Sequence, residues 1–223
     1  MLIVEDLLLL LLDDEKGHIA GEGTLYYPLG GAVLMDLALA GNVRFEEKQK
    51  LFGTAKVHAV DDAAPEDPLL ADAYAVIAPK PRSVQELLVM IGATLRGRVA
   101  DRLVEQGLVR RDEKKFLGLF RSTTWPAADT AHEREVREGI EAVLVRGAEP
   151  DARTGALIAL LAAGGSMHQV LHYDELKWSE LELRANEIVQ GQWAAEAVRN
   201  AILATNAAVA AAATAAVVTT VTS

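Results

Sequence analysis

A chain of 223 residues with a net charge of −10 and 24% charged residues has the make-up of a soluble, core-forming protein, not of a general nucleic-acid binder. With no cysteine, disulfides, thiolate metal sites and cysteine nucleophiles are excluded. Aromatic residues make up 5%, and alanine and leucine dominate, which favours helices over sheets. The expected architecture is therefore mainly α: a single globular domain over 1–223 with short β-hairpins, cytoplasmic.

Residues 2–12 read as a buried helix. Its six consecutive leucines follow Glu5 and Asp6 and precede Asp13, Asp14 and Glu15. A secretion signal has a basic lead and a small-residue cleavage site instead, so export is not expected. Gly21, Gly23 and Pro28 mark a loop around Tyr26 and Tyr27. A short apolar helix over 30–40 closes at Gly41. Alternation predicts strands over 42–47 and 55–60, with a turn near Gly53. The acidic loop 61–68 lacks calcium-loop spacing and reads as solvated. A helix over 69–78 ends at Pro79 and Pro81.

Ser83 and Glu86 make a capping-box pattern that opens one long helix. Leu88, Ile91, Leu95, Val99 and Leu103 recur three or four apart along its buried face, and Gly107 closes it. Residues 116–120 read as a strand. Helix, turn and strand together suit a helix followed by a β-hairpin. Thr130 and Glu133 repeat the capping box ahead of a helix to about residue 146. Asp151 or Thr154 opens the next, over 155–163, and further helices are expected over 167–172, 179–189 and 192–218. The last carries no charge from Asn200 onward. Rich in Ala and Thr, it reads as a buried helix and not as a lipid span.

Motifs for catalysis are missing. His168 and His172 have the spacing of a helical zinc pair, but Gln169 stands where the general base would be, and an amide accepts no proton. Gly30 and Gly31 read as a close helix contact. No enzyme activity, cofactor or metal is expected.

The arginines are more informative. From Arg96 to Arg121 there are eight Lys/Arg against four acids, a positive segment on an acidic protein. Arg98 has Asp101, and Arg102 has Glu105, three residues on, so both can pair on their own helix. Arg96 has only Gly92, Ala93, Val99 and Ala100 at three and four positions either way. Its guanidinium is open to a phosphate or to a distant carboxylate. Phe116, Leu117, Leu119 and Phe120 lie between Lys114–Lys115 and Arg121. That pattern suits an anionic membrane surface, a buried strand or an oligomer contact.

Several of these segments, in this order, resemble the Golgi phosphoprotein 3 family. They are Glu5-Asp6 with the leucine run, Asp13-Asp14 and Gly17; Leu34 to Gly41; Asp67-Pro68-Leu69-Leu70; Leu103 to Val109; and Phe116 to Phe120 with Thr123-Thr124-Trp125-Pro126. The resemblance covers nearly the whole chain. It implies a mostly helical fold around a central apolar helix, identified with the uncharged C-terminal one. It also implies a non-enzymatic peripheral membrane protein at the cytosolic face. Eukaryotic members bind phosphatidylinositol 4-phosphate at Golgi membranes and act as adaptors that retain glycosyltransferases. The implied partners are thus a phosphoinositide-like anionic lipid, membrane-enzyme clients and a second copy of the chain, met through a hairpin at about 114–125.

The family's lipid pocket uses a tryptophan in the first loop, an arginine before the second helix and two arginines on the long helix. These positions fall at Gly21-Glu22, Gly30, Ala93 and Arg96. Arg96 is the matched head-group residue, with Arg98 a weaker neighbour. The chain is identified as a bacterial-type member that keeps the fold and alters the ligand. The alternative is a soluble homo-oligomeric interaction protein of the same fold without lipid specificity.

Overall fold

The leucine run folds as α1 (Ile3–Leu11), every residue of which is buried. A helix that is apolar all round except for Glu5 and Asp6 has no face to give to water, so it goes inside. The computed structural model describes residues 1–13, 19–46, 55–116, 120–173, 176–191, 194 and 196–221. Burying α1 also buries Glu5 and Asp6, at 0% and 1% exposure. Both carboxylates are met from other helices. Arg102 of α5 (Leu95–Glu105) donates to Glu5 at 2.7 Å, and Gln106 adds a bond at 3.0 Å. Arg153 of α7 (Ala152–Ala163) donates to Asp6 at 2.7 Å. His132 of α6 (Ala131–Leu144) lies 2.9 Å from the same carboxylate. The first helix is thereby clamped from three directions.

The start of α1 is capped from the neighbouring helix. Ile3 N and Val4 N donate to the two oxygens of Asp36, at 2.8 and 3.2 Å. Asp36 belongs to α2 (Tyr26–Leu39), whose residues Pro28 to Leu37 are all buried. Burial pushes the Asp36 carboxyl up to about 7, against the pull of those two N–H groups and of Arg153, and Glu5 adds to the rise. The folded pKa lies above the ordinary aspartate value of about 3.9. The folded chain therefore holds a proton there that the unfolded chain has released. The stability this contributes is present below about pH 4 and is lost as pH rises through about 7. Asp36→Asn keeps a neutral group at all pH. Relative to wild type, it should gain roughly 2–3 kcal/mol between pH 5 and 8. Urea titrations of both proteins at the two pH values check this, and a difference that ignores pH would refute it.

The centre of the fold is α2. It packs against α1, α5, α7, α3 (Pro68–Ile77), α4 (Val84–Gly92) and α10 (Glu196–Val221). The uncharged C-terminal helix does not hold that place. In α10, Ala201, Ile202, Thr205, Ala208 and Val209 are buried, while Leu203 is exposed. Among the described residues, no helix is long and apolar enough to cross a membrane.

The long helix expected from Ser83 is two helices, α4 and α5, separated at Ala93 and Thr94. The start of α2 and the end of α4 meet backbone to backbone. A Cβ at Gly92 would lie 1.9 Å from the Tyr26 carbonyl oxygen, and one at Gly30 would lie 2.7 Å from that of Leu88. Ser83 does cap α4, accepting from Glu86 N at 3.2 Å, but the Glu86 carboxylate turns to Arg82 instead of closing the box. In front of α6 the cap is Asp129, which accepts from Ala131 N at 2.8 Å. Thr130 makes no side-chain cap, and Glu133 is drawn inside to pair with Arg137. Of the two residues expected to open α7, Asp151 is the cap, accepting from Thr154 N at 2.8 Å, and the helix begins at Ala152, earlier than Gly155.

Three short strands, β1 (Val43–Phe45), β2 (Lys56–Ala59) and β3 (Arg82–Ser83), pair antiparallel in that order. The turn expected near Gly53 lies outside the described residues. After α5, β4 (Asp112–Phe116) pairs with β5 (Phe120–Thr124). Residues 116–120 are therefore not one strand. Phe116 and Phe120 face each other across the end of a hairpin. The chain closes through α8 (Met167–Val170), α9 (Trp178–Val189) and α10.

Candidate anion site at the start of the fifth helix

Among the described side chains, the arginines of the positive segment are each met by a carboxylate. Arg98 reaches Asp72 on α3 at 2.6 Å, not Asp101 on its own helix. Arg102 is taken by Glu5 and by Asp67, the latter at 2.8 Å, and not by Glu105. Burial works against its charge, yet the bonds to Glu5 and Asp67 outweigh it and hold its pKa above the ordinary arginine value. Asp101 pairs with Arg111, and Arg110 lies 3.6 Å from Asp112. Counting charge along the chain overstated the patch, because its compensating acids arrive from other elements.

Arg96 sits in the first turn of α5. Its Nη2 lies 2.6 Å from Glu22 Oε1, and both side chains are about half exposed. Glu22 opens a 3-10 turn (Glu22–Thr24) that follows Gly21, which is held at φ +67°. Glycine tolerates this left-handed backbone without strain. The guanidinium lies over the ring of Trp125, 5.2 Å from its centre. Trp125, just past β5, is buried at 6% exposure. Two N–H groups here, Arg96 Nε and Trp125 Nε1, are buried with no acceptor among the described residues. Arg96, Glu22 and Trp125 thus form one cluster of a cation, a carboxylate and an aromatic face.

The other sequence candidates fall elsewhere. His168 and His172 do not share a helical face, because α8 ends at Val170 and Leu171 is extended. His168 stands edge-on to Trp178 in a cleft of about 460 Å³ with Glu182. His172 lines a different cleft, of about 440 Å³, at the end of α1. Among the described residues, no group of three His, Asp or Glu is placed to hold a metal ion. Leu117 and Leu119 lie outside the described residues, and Phe116 and Phe120 are placed by their backbone pairing alone.

A family model described as Golgi phosphoprotein 3 (GPP34) matches residues 3–205. The chain belongs to the Golgi phosphoprotein 3 family. It is similar to vacuolar protein sorting-associated protein 74 of Schizosaccharomyces pombe, at 31% identity over 161 residues. That match covers 64% of this chain and 48% of the relative. The protein of the same name from Eremothecium gossypii is 27% identical over 167 residues, covering 64% and 49%. The match thus takes in about half the length of either relative.

The four positions expected from the resemblance to hold a lipid pocket in the Golgi phosphoprotein 3 family now have surroundings. Gly30 has no room for a side chain, and Ala93 is exposed at the break between α4 and α5. Where the family's tryptophan falls, the chain supplies the Glu22 carboxylate. An indole comes from another element, on Trp125 just past β5. Sequence reasoning missed both partners. Trp125 was visible only as part of a family motif, and nothing local links Glu22 to Arg96.

Proposed function

We propose that this Golgi phosphoprotein 3 family member is a non-catalytic peripheral membrane protein that meets an anionic lipid head group through Arg96. The observation that carries this reading is the Arg96 guanidinium, half exposed over Trp125 at the one pocket position the chain retains. A planar cation with free donors takes phosphate oxygens well. Val89 and Met90, exposed on the helix that leads to the Arg96 turn, offer apolar contact to a bilayer. On this reading the protein works at the cytosolic face of a membrane, where client enzymes of that membrane are its protein partners.

Sedimentation with phosphatidylcholine vesicles carrying phosphatidylinositol 4-phosphate tests it. Arg96→Ala should lose roughly tenfold or more in affinity, the worth of one charge-assisted hydrogen bond. Arg98→Ala should lose little, because that side chain is engaged with Asp72. Equal binding by wild type and Arg96→Ala would remove the proposal.

The hairpin favours a second reading. Among the described residues, β4 and β5 pair with each other and pack closely on no other element. A two-stranded hairpin alone is marginal in water. A second copy of the chain is the natural cover, giving a homo-oligomer of this fold without lipid specificity. Light scattering should then show a multimer that Phe116→Glu with Phe120→Glu reduces to a monomer. A wild-type monomer would exclude it.

A further inference from the structure

We infer that Glu22 is an internal stand-in for the ligand: its carboxylate occupies the Arg96 guanidinium, and an anionic phosphoryl group enters only by displacing it. The inference rests on the lipid reading of Arg96 and concerns what controls that site.

Three observations converge. The carboxylate lies 2.6 Å from Arg96 Nη2, where a phosphoryl oxygen would bind. The pair is half exposed, so it is held weakly enough to exchange; such pairs are worth less than about 1 kcal/mol. Beside it, Arg96 Nε and Trp125 Nε1 have no acceptor among the described residues, and Trp125 is more than nine-tenths buried. A carboxylate brings two oxygens, and those of Glu22 leave both donors unused. A phosphomonoester brings three terminal oxygens and more charge. The cluster therefore has unused hydrogen-bonding capacity of the kind a phosphoryl group fills. The Trp125 ring, 5.2 Å from the guanidinium carbon, also holds Arg96 in place when Glu22 leaves.

While it stays, Glu22 also repels an arriving anion. It thus sets a threshold: weakly charged surfaces are refused, and a concentrated phosphomonoester is accepted. The control lies in a 3-10 turn joined to α2 and not on the helix that carries Arg96, so movement of that turn alone opens the site.

The test compares wild type, Glu22→Gln, Glu22→Gln with Arg96→Ala, and Glu66→Gln as an equal charge change on an exposed acid elsewhere. Each is sedimented with phosphatidylcholine vesicles carrying phosphatidylinositol 4-phosphate, and with vesicles carrying phosphatidylserine at matched charge. Glu22→Gln should bind the phosphoinositide vesicles up to about fivefold more tightly than wild type, with little gain on phosphatidylserine. Removing Arg96 should cancel the gain, and Glu66→Gln should not reproduce it. Adding inorganic phosphate separates the sources of the anion. Displacement by phosphate assigns the gain to the phosphoryl group alone, persistence assigns it to the head group in its bilayer, and either supports the stand-in role. Equal binding by wild type and Glu22→Gln overturns this inference and leaves the lipid reading intact. A gain that survives Arg96→Ala, or that Glu66→Gln matches, overturns it as a general charge effect. No binding by any of the four overturns both.

Discussion

Arg102→Ala is expected to lower the free energy of unfolding by about 3–5 kcal/mol, the usual cost of removing one partner from a buried ion pair. The reason is Glu5, which is fully buried and whose Oε1 receives Arg102 Nε at 2.7 Å. The variant leaves that carboxylate with Gln106 at 3.0 Å and the Leu2 amide at 2.6 Å, two neutral donors for a full charge. Asp67 loses its cation as well, although it still caps α3 through Leu69 N. For a chain of this size the drop corresponds to a fall in Tm of roughly 6–20 °C. The double variant Glu5→Gln with Arg102→Met should recover most of it, because the buried charge goes with its partner. Thermal unfolding of the two variants decides the matter. A loss below about 1 kcal/mol in Arg102→Ala would mean that the clamp on α1 contributes little.

Placing an arginine at Gly30, where the resemblance to the family led one to be expected, should disrupt the fold and not build a lipid site. A Cβ there would meet Leu88 O at 2.7 Å and Leu88 Cα at 3.0 Å. These are backbone atoms of the packed helix α4, and no side-chain rotation relieves the clash. Gly30→Arg should cost about 3 kcal/mol or more, at the upper end for overpacked sites. Gly30→Ala, which adds only the Cβ, should already lose much of that. Circular dichroism melts compare the three proteins, and vesicle sedimentation shows whether any folded fraction of Gly30→Arg gains lipid affinity. A Gly30→Arg protein with the wild-type melting temperature would show that α2 and α4 do not meet in the way described.

These two effects come from the same structural fact. A sequence position matched to a family pocket inherits a role only if its surroundings leave space for the side chain. At Gly30 the helices have closed on each other. At Arg96 the side chain is half exposed and is met by Glu22 and Trp125. These two come from a loop and from a strand end.

The residues fixed locally were legible in the sequence. The leucine run, the caps at Ser83 and Asp151, and the stops at Gly41 and Gly107, with φ of +74° and +76°, depend on neighbours within one turn of the chain. Spacing therefore decides them before any packing. That Arg96 lacks a partner on its own helix was legible for the same reason. The break between α4 and α5 was not, because Gly92 is needed for an approach to Tyr26 on another helix. Nor were the partners of Arg98 and Arg102, although local acids stood three residues away. Electrostatic pairing is settled by distance in space and by which carboxylates are already buried. Glu5 had to be met once α1 went into the core, and that demand drew Arg102 away from Glu105. The sequence by itself determined a mainly helical chain with one arginine unpaired on its own helix. Only the packing of those helices decided that Glu22 and Trp125 meet it, because that meeting depends on how the first loop, α5 and β5 converge.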